Sequence, residues 1–343
     1  MDRWYLDNLV CPRDHTRLEA AGSKLTCIEG HTYPVVDGLP VMLLDDQPQT
    51  IGAAEKTLQQ AAGLSDKDQT PELYLESLSL SEVQKKGIAE LARNGASKID
   101  PVVAFMIGAT NGNLYGHLVG KLDSYPIPHL RLPPGGGQTF LDIGCNWGRW
   151  SIAAARHGYN VVGIDPQLGA VMAARRVSRE LGLSNKYVVA DARYLPFAAR
   201  SFDKLFSYSV LQHLSKEDVG ATVSEITRVL RAGGVSLVQM ATTFGVRTLY
   251  NQARRRFRAA EGFEVRFWTI PSLKRLFSTI GKTEISVDCY FGTGIQESDR
   301  HLMPAKLKLI IAASEALRKA SRFARPLVYV ADSVYVQSTK AKE

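Results

Sequence analysis

The sequence predicts an α/β fold in which an open, mostly parallel sheet carries helices on both faces. The first observation is the segment TFLDIGCNWGR, residues 139–149, where an apolar run ends in an acid and a tight turn leads into the apolar helix SIAAARHG. The second is that two later apolar runs, VVGID and VVAD, also end in acids, Asp165 and Asp191. A turn that admits a ligand, followed by two strand-end carboxylates, is how open α/β sheets hold a nucleoside.

The turn argues against a dinucleotide. The fingerprint G-x-G-x-x-G needs a middle glycine, which the sequence Gly144-Cys145-Asn146-Trp147-Gly148 lacks. No Gly-Lys-Ser/Thr follows, so a phosphate-binding P-loop is excluded as well. Because two glycines still leave the backbone open to close approach, we expect a nucleoside ligand without phosphates.

These segments resemble those of the class I S-adenosylmethionine-dependent methyltransferases, most closely the group that includes the quinone-biosynthesis methyltransferases. The resemblance covers about residues 140–240 and consists of five motifs in order: LDIGCNWGRW, VVGIDPQ, VVADARYLPF, SFDKLFSYSVLQHL and ITRVLRAGGVSLVQM. It implies a Rossmann-like seven-stranded sheet whose last strand runs antiparallel to the others. It also implies S-adenosyl-L-methionine as the cofactor.

The resemblance assigns roles around that cofactor. Asp142 and the backbone at Gly144 would face its methionine end. Asp165 would accept hydrogen bonds from both ribose hydroxyls, and Asp191 would accept from the adenine amino group while the Ala192 amide donates to the ring. The full set of expected cofactor-binding residues is Asp142, Gly144, Cys145, Asn146, Gly148, Asp165, Pro166, Asp191, Ala192 and Ser207.

Asn146 stands where the family has glycine. Asparagine tolerates left-handed backbone better than other non-glycine residues, so we expect the turn to keep its shape. Gly148 would then let the turn and the following helix pack closely. If the substitution instead removes cofactor binding, the chain is a non-catalytic partner protein, which is the alternative of a different class.

Methyl transfer from a sulfonium is an in-line displacement, so the protein mainly aligns donor and acceptor and excludes water. A hydroxyl acceptor also needs a base whose pKa is near the working pH. His213 is the candidate base, because in this family the loop after the fourth strand borders the methyl group. A structural histidine that bonds backbone is the alternative. Tyr208 is the second candidate, orienting the acceptor or lining its pocket.

The residues after the fourth strand favour a small-molecule, sugar-linked or lipid-linked acceptor that is methylated at oxygen. Amino-group methylation in this fold typically uses an Asn/Asp-Pro-Pro-aromatic turn, whereas residues 207–210 read SYSV. Pyrimidine C5 methylation needs a nucleophilic cysteine near the cofactor, and Cys145 and Cys289 are poorly placed for that. An RNA methyltransferase is the alternative enzyme, favoured by the N-terminal segment and by the basic C-terminal part.

The net charge of +8 is unevenly distributed. Residues 1–50 have four basic and eight acidic side chains, while residues 241–343 have 18 basic and nine acidic ones. The basic segments 254–258 and 306–325 could contact RNA phosphates, and the second could lie on an anionic membrane as a basic amphipathic helix. Solvated helix faces are the simpler interpretation.

Three parts follow from composition: a ribbon-like domain at 1–48, a helical linker and cap at 49–130, and a methyltransferase domain at 131–343 with a helical insertion at about 292–330. Helices are predicted at 53–63 and 79–95. Between them and the core, the aromatic and imidazole side chains suited to a substrate pocket are Tyr115, His117, Tyr125 and His129.

The N-terminal segments LDNLVCPRDHTRLE and LTCIEGHTYPVVDGLPVMLLDD resemble the small zinc-ribbon-like family that contains the activator subunit of tRNA and protein methyltransferases. That family has two C-x-x-C pairs, but here Asp14 follows Cys11 at the matching place and Cys27 has also lost its partner. His15 and His31 could substitute as ligands. Since intact cysteine pairs are what make a zinc assignment strong, we expect a metal-free ribbon held together by YPVVDGLPVML.

A cytoplasmic location is expected from three features. The N-terminal segment has no apolar h-region of a signal peptide, and the apolar runs are far too short to span a bilayer. The four cysteines, at positions 11, 27, 145 and 289, do not form a disulfide framework. With 45% hydrophobic and 22% charged residues, the chain has the composition of a soluble protein with a large core.

Overall fold

A computed structural model describes residues 1–63, 73–78, 80–95 and 97–342. Both predicted N-terminal helices occur, as α2 (Gly52–Gly63) and α4 (Glu82–Arg93), although residue 79 of the second prediction lies outside the described residues. The chain divides into two units. One contains residues 1–125 and 132–201, and the other contains residues 126–131 and 202–343.

The described elements follow one another along both units. The remaining helices are α1 (Arg3–Asn8), α3 (Leu73–Glu76), α5 (Pro101–Gly108), α6 (Thr110–Asn113), α7 (Arg149–Arg156), α8 (Leu168–Glu180), α9 (Lys216–Val229), α10 (Val246–Arg254), α11 (Ile270–Phe277) and α12 (Ala305–Ala320). The strands are β1 (Leu18–Ala21), β2 (Lys24–Cys27), β3 (Thr32–Val36), β4 (Leu39–Pro40), β5 (Thr139–Ile143), β6 (Asn160–Asp165), β7 (Lys186–Val189), β8 (Phe202–Ser207), β9 (Leu230–Ala241), β10 (Gly281–Cys289) and β11 (Ser333–Lys340).

The N-terminal strands form an antiparallel sheet in the order β1-β2-β3-β4. Its apolar residues are buried as the sequence predicts, with Leu39, Val41 and Met42 fully excluded from solvent. Val41 pairs with Val189 at the end of β7, where the Met42 amide donates to the Val189 carbonyl over 2.7 Å. The ribbon-like domain is therefore joined to the first unit by backbone hydrogen bonds.

Strands β5 to β11 form one seven-stranded sheet in the order β10-β11-β9-β8-β5-β6-β7. Strand β11 runs antiparallel to β9 and β10, whereas the other resolved pairings of the core are parallel. This confirms the predicted Rossmann-like sheet with an antiparallel last strand and helices in its connections.

Within the first unit, β5, β6 and β7 lie side by side in parallel. The apolar residues of all three are buried because helices α7 and α8 connect them and cover the sheet. Asp142 and Asp165 lie at the carboxyl ends of β5 and β6, and Asp191 follows β7 by two residues. The carboxyl ends of parallel strands meet at one edge, so the three acids predicted from the motifs share it.

Within the second unit, β8 pairs with β9, and β11 lies between β9 and β10. The last strand is fixed at its end, where the Lys340 ammonium donates to the carbonyls of Thr227 and Leu230 over 2.6 and 2.8 Å. Between β10 and β11 the chain forms two 3₁₀ turns and α12, in the region predicted as a helical insertion. Among the described residues, no helix has the length and apolar character to cross a membrane.

Candidate functional site

The turn after β5 is built by residues with left-handed backbone. Gly144 and Asn146 have φ angles of 74° and 48°. The Gly144 and Cys145 amides both donate to the Ile164 carbonyl, over 2.8 and 2.9 Å. The Asn146 carboxamide oxygen accepts from the Trp147 amide over 2.8 Å, which stabilises the turn from within. Asparagine therefore preserves this turn without the family glycine, as predicted.

Position 148 needs glycine for two reasons: its backbone is left-handed, and its surroundings leave no space for a Cβ atom. Its φ angle is 84°, and it precedes the first residue of α7. A Cβ atom there would lie 2.8 Å from the Tyr187 hydroxyl and 3.1 Å from the Ala174 Cβ atom on α8. The predicted role of Gly148 in close packing is thus visible in the contacts around it.

We expect Gly148→Ala to lower the free energy of unfolding by about 1–3 kcal/mol more than Gly182→Ala. Gly182 is the matched control, because its φ angle of 69° is also left-handed but its Cβ position has no atom within 4 Å. Both variants meet the left-handed penalty of about 1–2 kcal/mol, and only Gly148→Ala adds a clash. Urea unfolding of both proteins measures the difference, and equal losses would contradict the packing argument.

Asp165 has the geometry of a ribose acceptor. Its Oδ2 atom accepts from the Asn146 amide and its Oδ1 atom from the Gln167 amide, each over 3.0 Å. A carboxylate has about four acceptor positions, so each oxygen keeps one for a hydroxyl group. Burial raises the pKa of Asp165 to about 6, and the two backbone hydrogen bonds oppose that rise. The residue fits the predicted role of binding both ribose hydroxyls.

Asp142 makes a contact inside the protein. It is 1% exposed, and its Oδ2 atom accepts from the Ser151 hydroxyl over 2.6 Å. Burial raises its pKa to about 7, partly opposed by the Ser151 hydrogen bond. Since Ser151 lies on α7, this hydrogen bond ties the end of β5 to the helix that follows the turn. The contact of Asp142 with the methionine end of the cofactor stays a prediction.

Asp191 is paired with a residue that the sequence does not point to. The Arg193 guanidinium donates to both Asp191 oxygens, at 2.8 to 3.2 Å, and the Arg193 amide adds a hydrogen bond of 2.8 Å. Both side chains are largely buried, and Arg193 also donates to the Pro48 carbonyl. The guanidinium therefore occupies the acceptor positions that the adenine amino group would use, and it has to turn away before Asp191 can take that role.

The other expected cofactor residues differ in accessibility. The Cys145 thiol is buried, which raises its pKa and makes it unreactive as a nucleophile. Pro166 and Ala192 are partly exposed beside the two strand ends. Ser207 is fully buried as the last residue of β8.

His213 lies in the second unit, in a 3₁₀ turn after β8. Its Nδ1 atom donates to the Phe263 carbonyl over 2.7 Å, and its ring stacks on the Phe263 ring at a centroid distance of 4.0 Å. Because Nδ1 carries the proton, Nε2 holds the lone pair of the neutral ring. Burial lowers the pKa of His213, only partly opposed by the Phe263 hydrogen bond. The hydrogen bond to the backbone is what the structural alternative predicts, and the tautomer that it fixes leaves Nε2 as the proton acceptor that a general base needs; the catalytic role of His213 stays a prediction.

Tyr208 belongs to a buried polar network. Its hydroxyl donates to Asp288 over 3.1 Å and accepts from the Gln296 amide over 2.7 Å. Ser333 donates to Asp288 over 2.8 Å, and the Arg131 guanidinium lies 3.4 Å from it. Burial and the nearby Asp288 raise the pKa of Tyr208, so its hydroxyl acts as a hydrogen-bond donor and not as a base. The role of Tyr208 toward the acceptor stays a prediction.

Two of the aromatic residues predicted to suit a substrate pocket, Tyr115 and Tyr125, make contacts inside the protein instead. Tyr115 is fully buried, and the Arg149 guanidinium lies over its ring at 5.5 Å. Tyr125 donates to the Glu180 carboxylate over 2.6 Å and accepts from the Asp100 amide over 3.0 Å. Their hydrogen-bonding and stacking partners are residues of the same unit, which indicates a structural role for both.

Comparison with known proteins supports the core motifs. Residues 140–234 match the family described as methyltransferase domain. The ubiquinone biosynthesis O-methyltransferase of Agrobacterium fabrum is 35% identical over 99 residues, covering 29% of this chain and 39% of that protein. An O-methyltransferase of Pyrenophora dematioidea is 35% identical over 106 residues, covering 30% and 39%. The chain thus spans about two fifths of the length of these curated relatives.

A solved structure with a similar fold is phosphoethanolamine N-methyltransferase 2 of Haemonchus contortus in complex with S-adenosyl-L-methionine. It is 18% identical, covers 68% of this chain and 58% of its own, and has a TM-score of 0.45. The methyltransferase domain match covers four of the five predicted motifs and the start of the fifth. It confirms the methyltransferase resemblance of this part of the chain.

Proposed function

We propose that this protein is an S-adenosylmethionine-dependent methyltransferase that acts at an oxygen atom of a small-molecule, sugar-linked or lipid-linked acceptor. The observation that carries the proposal is Asp165. Its carboxylate ends β6, is held by two backbone amides and keeps one acceptor position on each oxygen. It lies inside the segment that matches the methyltransferase domain.

The residues of the first unit suit a nucleoside with a charged sulfur. Bound S-adenosyl-L-methionine supplies a methyl group that its positive sulfur activates for displacement. Asp165 would hold the ribose, the turn at Gly144 would pass close to the methionine end, and Asp191 would take the adenine amino group once Arg193 has turned away. No phosphate has to be neutralised, which agrees with a turn that has no lysine.

The resemblance assigns the acid–base chemistry of a hydroxyl acceptor to His213. His213 Nε2 would take the proton of the acceptor hydroxyl as that oxygen forms its bond to the methyl group, and the cofactor would leave as a neutral thioether. Tyr208, whose hydroxyl proton is donated to Asp288, would line the acceptor pocket or accept a hydrogen bond from a polar group of the acceptor. Relatives named O-methyltransferase support oxygen as the accepting atom. None of the four cysteines forms a disulfide, which supports a cytoplasmic location as part of this proposal.

Transfer of labelled methyl groups tests the function. The purified protein would be incubated with methyl-labelled S-adenosylmethionine and, separately, with lipid extract, polar metabolites and total RNA. We expect label in the lipid or metabolite fraction, with mass spectrometry locating the new methyl group on oxygen. Label in RNA alone would replace the proposal by the RNA methyltransferase. Failure to bind the cofactor would replace it by the non-catalytic partner protein.

A further inference from the structure

Four metal-ligand side chains of the ribbon converge on one point. The Sγ atoms of Cys11 and Cys27, a carboxylate oxygen of Asp14 and a ring nitrogen of His31 all lie within 4.8 Å of one another. Both cysteines are buried and the other two side chains are partly exposed. Asp14 thus takes the place that the sequence suggested for His15, whose side chain is exposed and lies outside this cluster.

Four of the six distances between these donor atoms can be compared one by one with the edges of a tetrahedron around zinc. With Zn–S of about 2.3 Å and Zn–N or Zn–O of about 2.0–2.1 Å, tetrahedral edges measure about 3.3–3.8 Å. His31 Nδ1 lies 3.5 Å from Cys11 Sγ and 3.3 Å from Cys27 Sγ. Asp14 Oδ2 lies 3.5 Å from Cys27 Sγ and 3.0 Å from His31 Nδ1. Of these four edges, only the last is shorter than the ideal range, and the two remaining pairs lie within 4.8 Å.

Two tight turns hold the ligands in place. In the first, the Cys11 amide donates to the Thr16 carbonyl and the His15 amide to the Cys11 carbonyl, each over 2.9 Å. In the second, the Cys27 amide donates to the His31 carbonyl over 3.1 Å. Each turn therefore holds two of the four donor atoms close together. Two such turns are enough to surround a metal ion with four ligands from short segments of the chain.

We propose that Cys11, Asp14, Cys27 and His31 form a structural zinc site. Two thiolates and an imidazole favour zinc over calcium or magnesium, which take oxygen ligands. Four protein ligands close the tetrahedron and leave no position for a reacting water, so the site stabilises the ribbon and performs no chemistry. Tyr33, whose hydroxyl lies 3.1 Å from Cys11 Sγ, would hydrogen-bond the thiolate as an outer partner.

Metal analysis of the full-length protein tests the site. Protein produced with added zinc is expected to contain one zinc per chain, and His31→Ala and Asp14→Ala should retain less than a fifth of it. His15→Asn is the matched control, because His15 is a neighbouring imidazole outside the cluster whose left-handed φ of 60° asparagine tolerates. It should keep the full amount. Equal zinc in all four proteins would overturn the proposal.

A second measurement does not depend on how well the variants fold. Wild-type protein stripped with a chelator would be titrated with Co²⁺. We expect a saturable thiolate-to-cobalt charge-transfer band at one equivalent, reversed by zinc, and a higher melting temperature in the loaded state. Absence of such a band in stripped protein that keeps its far-UV circular dichroism would overturn the site.

A separate observation concerns the surface of α10 and the turn after it, residues 244–258, called here the basic aromatic surface. Its large apolar side chains are 40–70% exposed; they are Phe244, Val246, Leu249, Tyr250 and Phe257. Exposed arginines are interspersed with them, at positions 247, 254 and 256, and the segment itself contains no acidic residue. A further exposed arginine, Arg258, is paired with Glu264 just beyond the segment, at 2.8 Å. A large apolar patch flanked by cationic side chains marks an interaction surface.

The helix geometry gathers these residues on one face. Val246, Leu249 and Tyr250 are spaced three and four residues apart on α10, so they project from the same side. The guanidinium groups of Arg247 and Arg254 lie over the Tyr250 ring at 5.1 and 5.9 Å. The charges therefore border the apolar face and do not interrupt it.

We infer that the basic aromatic surface docks on an anionic lipid bilayer. Val246 and Leu249 suit the acyl boundary and cannot stack on nucleic-acid bases. The Tyr250 ring is already covered by the guanidinium groups of Arg247 and Arg254. Each arginine near an anionic surface contributes about 1 kcal/mol. The sequence also allowed membrane contact at 306–325, but the large apolar side chains exposed there are Leu309 and Phe323, fewer than the five around α10.

Co-sedimentation with vesicles tests this surface. Wild-type protein is expected to bind phosphatidylglycerol–phosphatidylcholine vesicles and to be released by high salt. Leu249→Ser combined with Phe257→Ser should lower the partition coefficient at least tenfold. The matched control is Phe323→Ser, since Phe323 is 92% exposed outside this surface and its loss should change nothing. Equal binding of the double variant, or binding to RNA but not to vesicles, would overturn the inference.

Discussion

Asp165→Asn is expected to weaken S-adenosylmethionine binding at least about 100-fold. Hydrogen bonds to a charged acceptor contribute about 1.5–3 kcal/mol each, and the carboxylate is expected to accept one from each ribose hydroxyl. Asparagine keeps one oxygen for a backbone amide but offers the second hydroxyl an NH₂ group, which cannot accept. Calorimetric titration with S-adenosylmethionine and S-adenosylhomocysteine measures the loss.

The control for this variant is Asp123→Asn. Asp123 is exposed and pairs with Lys98 at 2.7 Å, a surface ion pair whose removal costs little. The control should bind like the wild type, and both variants should show a cooperative thermal transition. A folded Asp165→Asn protein that binds within threefold of the wild type would contradict the assignment of the ribose acid.

The pH dependence of S-adenosylmethionine affinity is a second way to compare the wild type with Asp165→Asn. Burial raises the pKa of Asp165 to about 6, and only the carboxylate form can accept from both hydroxyls. Wild-type affinity should therefore be full above that pKa and decline as the pH falls through about 6, whereas the affinity of Asp165→Asn should lack this step. The pKa of Asp142 is raised to about 7 mainly by burial and in part by the charge of Asp165, so Asp142→Asn is measured beside Asp165→Asn to separate the two titrations.

The cofactor motifs were predictable because their information is local. A turn that needs left-handed residues is visible in the sequence as Gly144 and Gly148, and an apolar run that ends in Asp165 shows a buried strand and its carboxylate together. Asn146 could be interpreted in the same way, since its backbone preference is a property of one residue. Each of these predictions depended on neighbours a few positions away.

The partners that the sequence did not reveal depend on side-chain direction. Arg193 is two residues from Asp191, but whether its guanidinium folds back or extends is decided by the Pro48 carbonyl, 145 residues earlier in the chain. Likewise, Asp14 and His15 are adjacent, and only the turn geometry decides which one points at Cys27. Asp288 had one local signal, an acid at the buried end of an apolar strand, ISVDCY.

His213→Gln is expected to lower kcat by about 10²–10⁴-fold on the acceptor that the labelling experiment identifies, with cofactor affinity unchanged. General base catalysis contributes rate factors of that size. Glutamine can still donate to the Phe263 carbonyl and so keep the turn, but it cannot take a proton. The variant therefore separates the basic Nε2 atom from the structural hydrogen bond of Nδ1, which is 2.7 Å long.

The pH profile of the wild type distinguishes a base from an orienting residue. The neutral ring is the active form, so the rate should be lost as the pH falls through the pKa of His213. Burial lowers that pKa, which places the loss below the ordinary histidine value of about 6.5. His301→Gln is the control, since His301 Nδ1 also contacts a backbone carbonyl, that of Ser298, over 2.9 Å. If kcat of His213→Gln stays within threefold of the wild type, His213 is a structural residue, and the network around Tyr208 becomes the place to look for the proton acceptor.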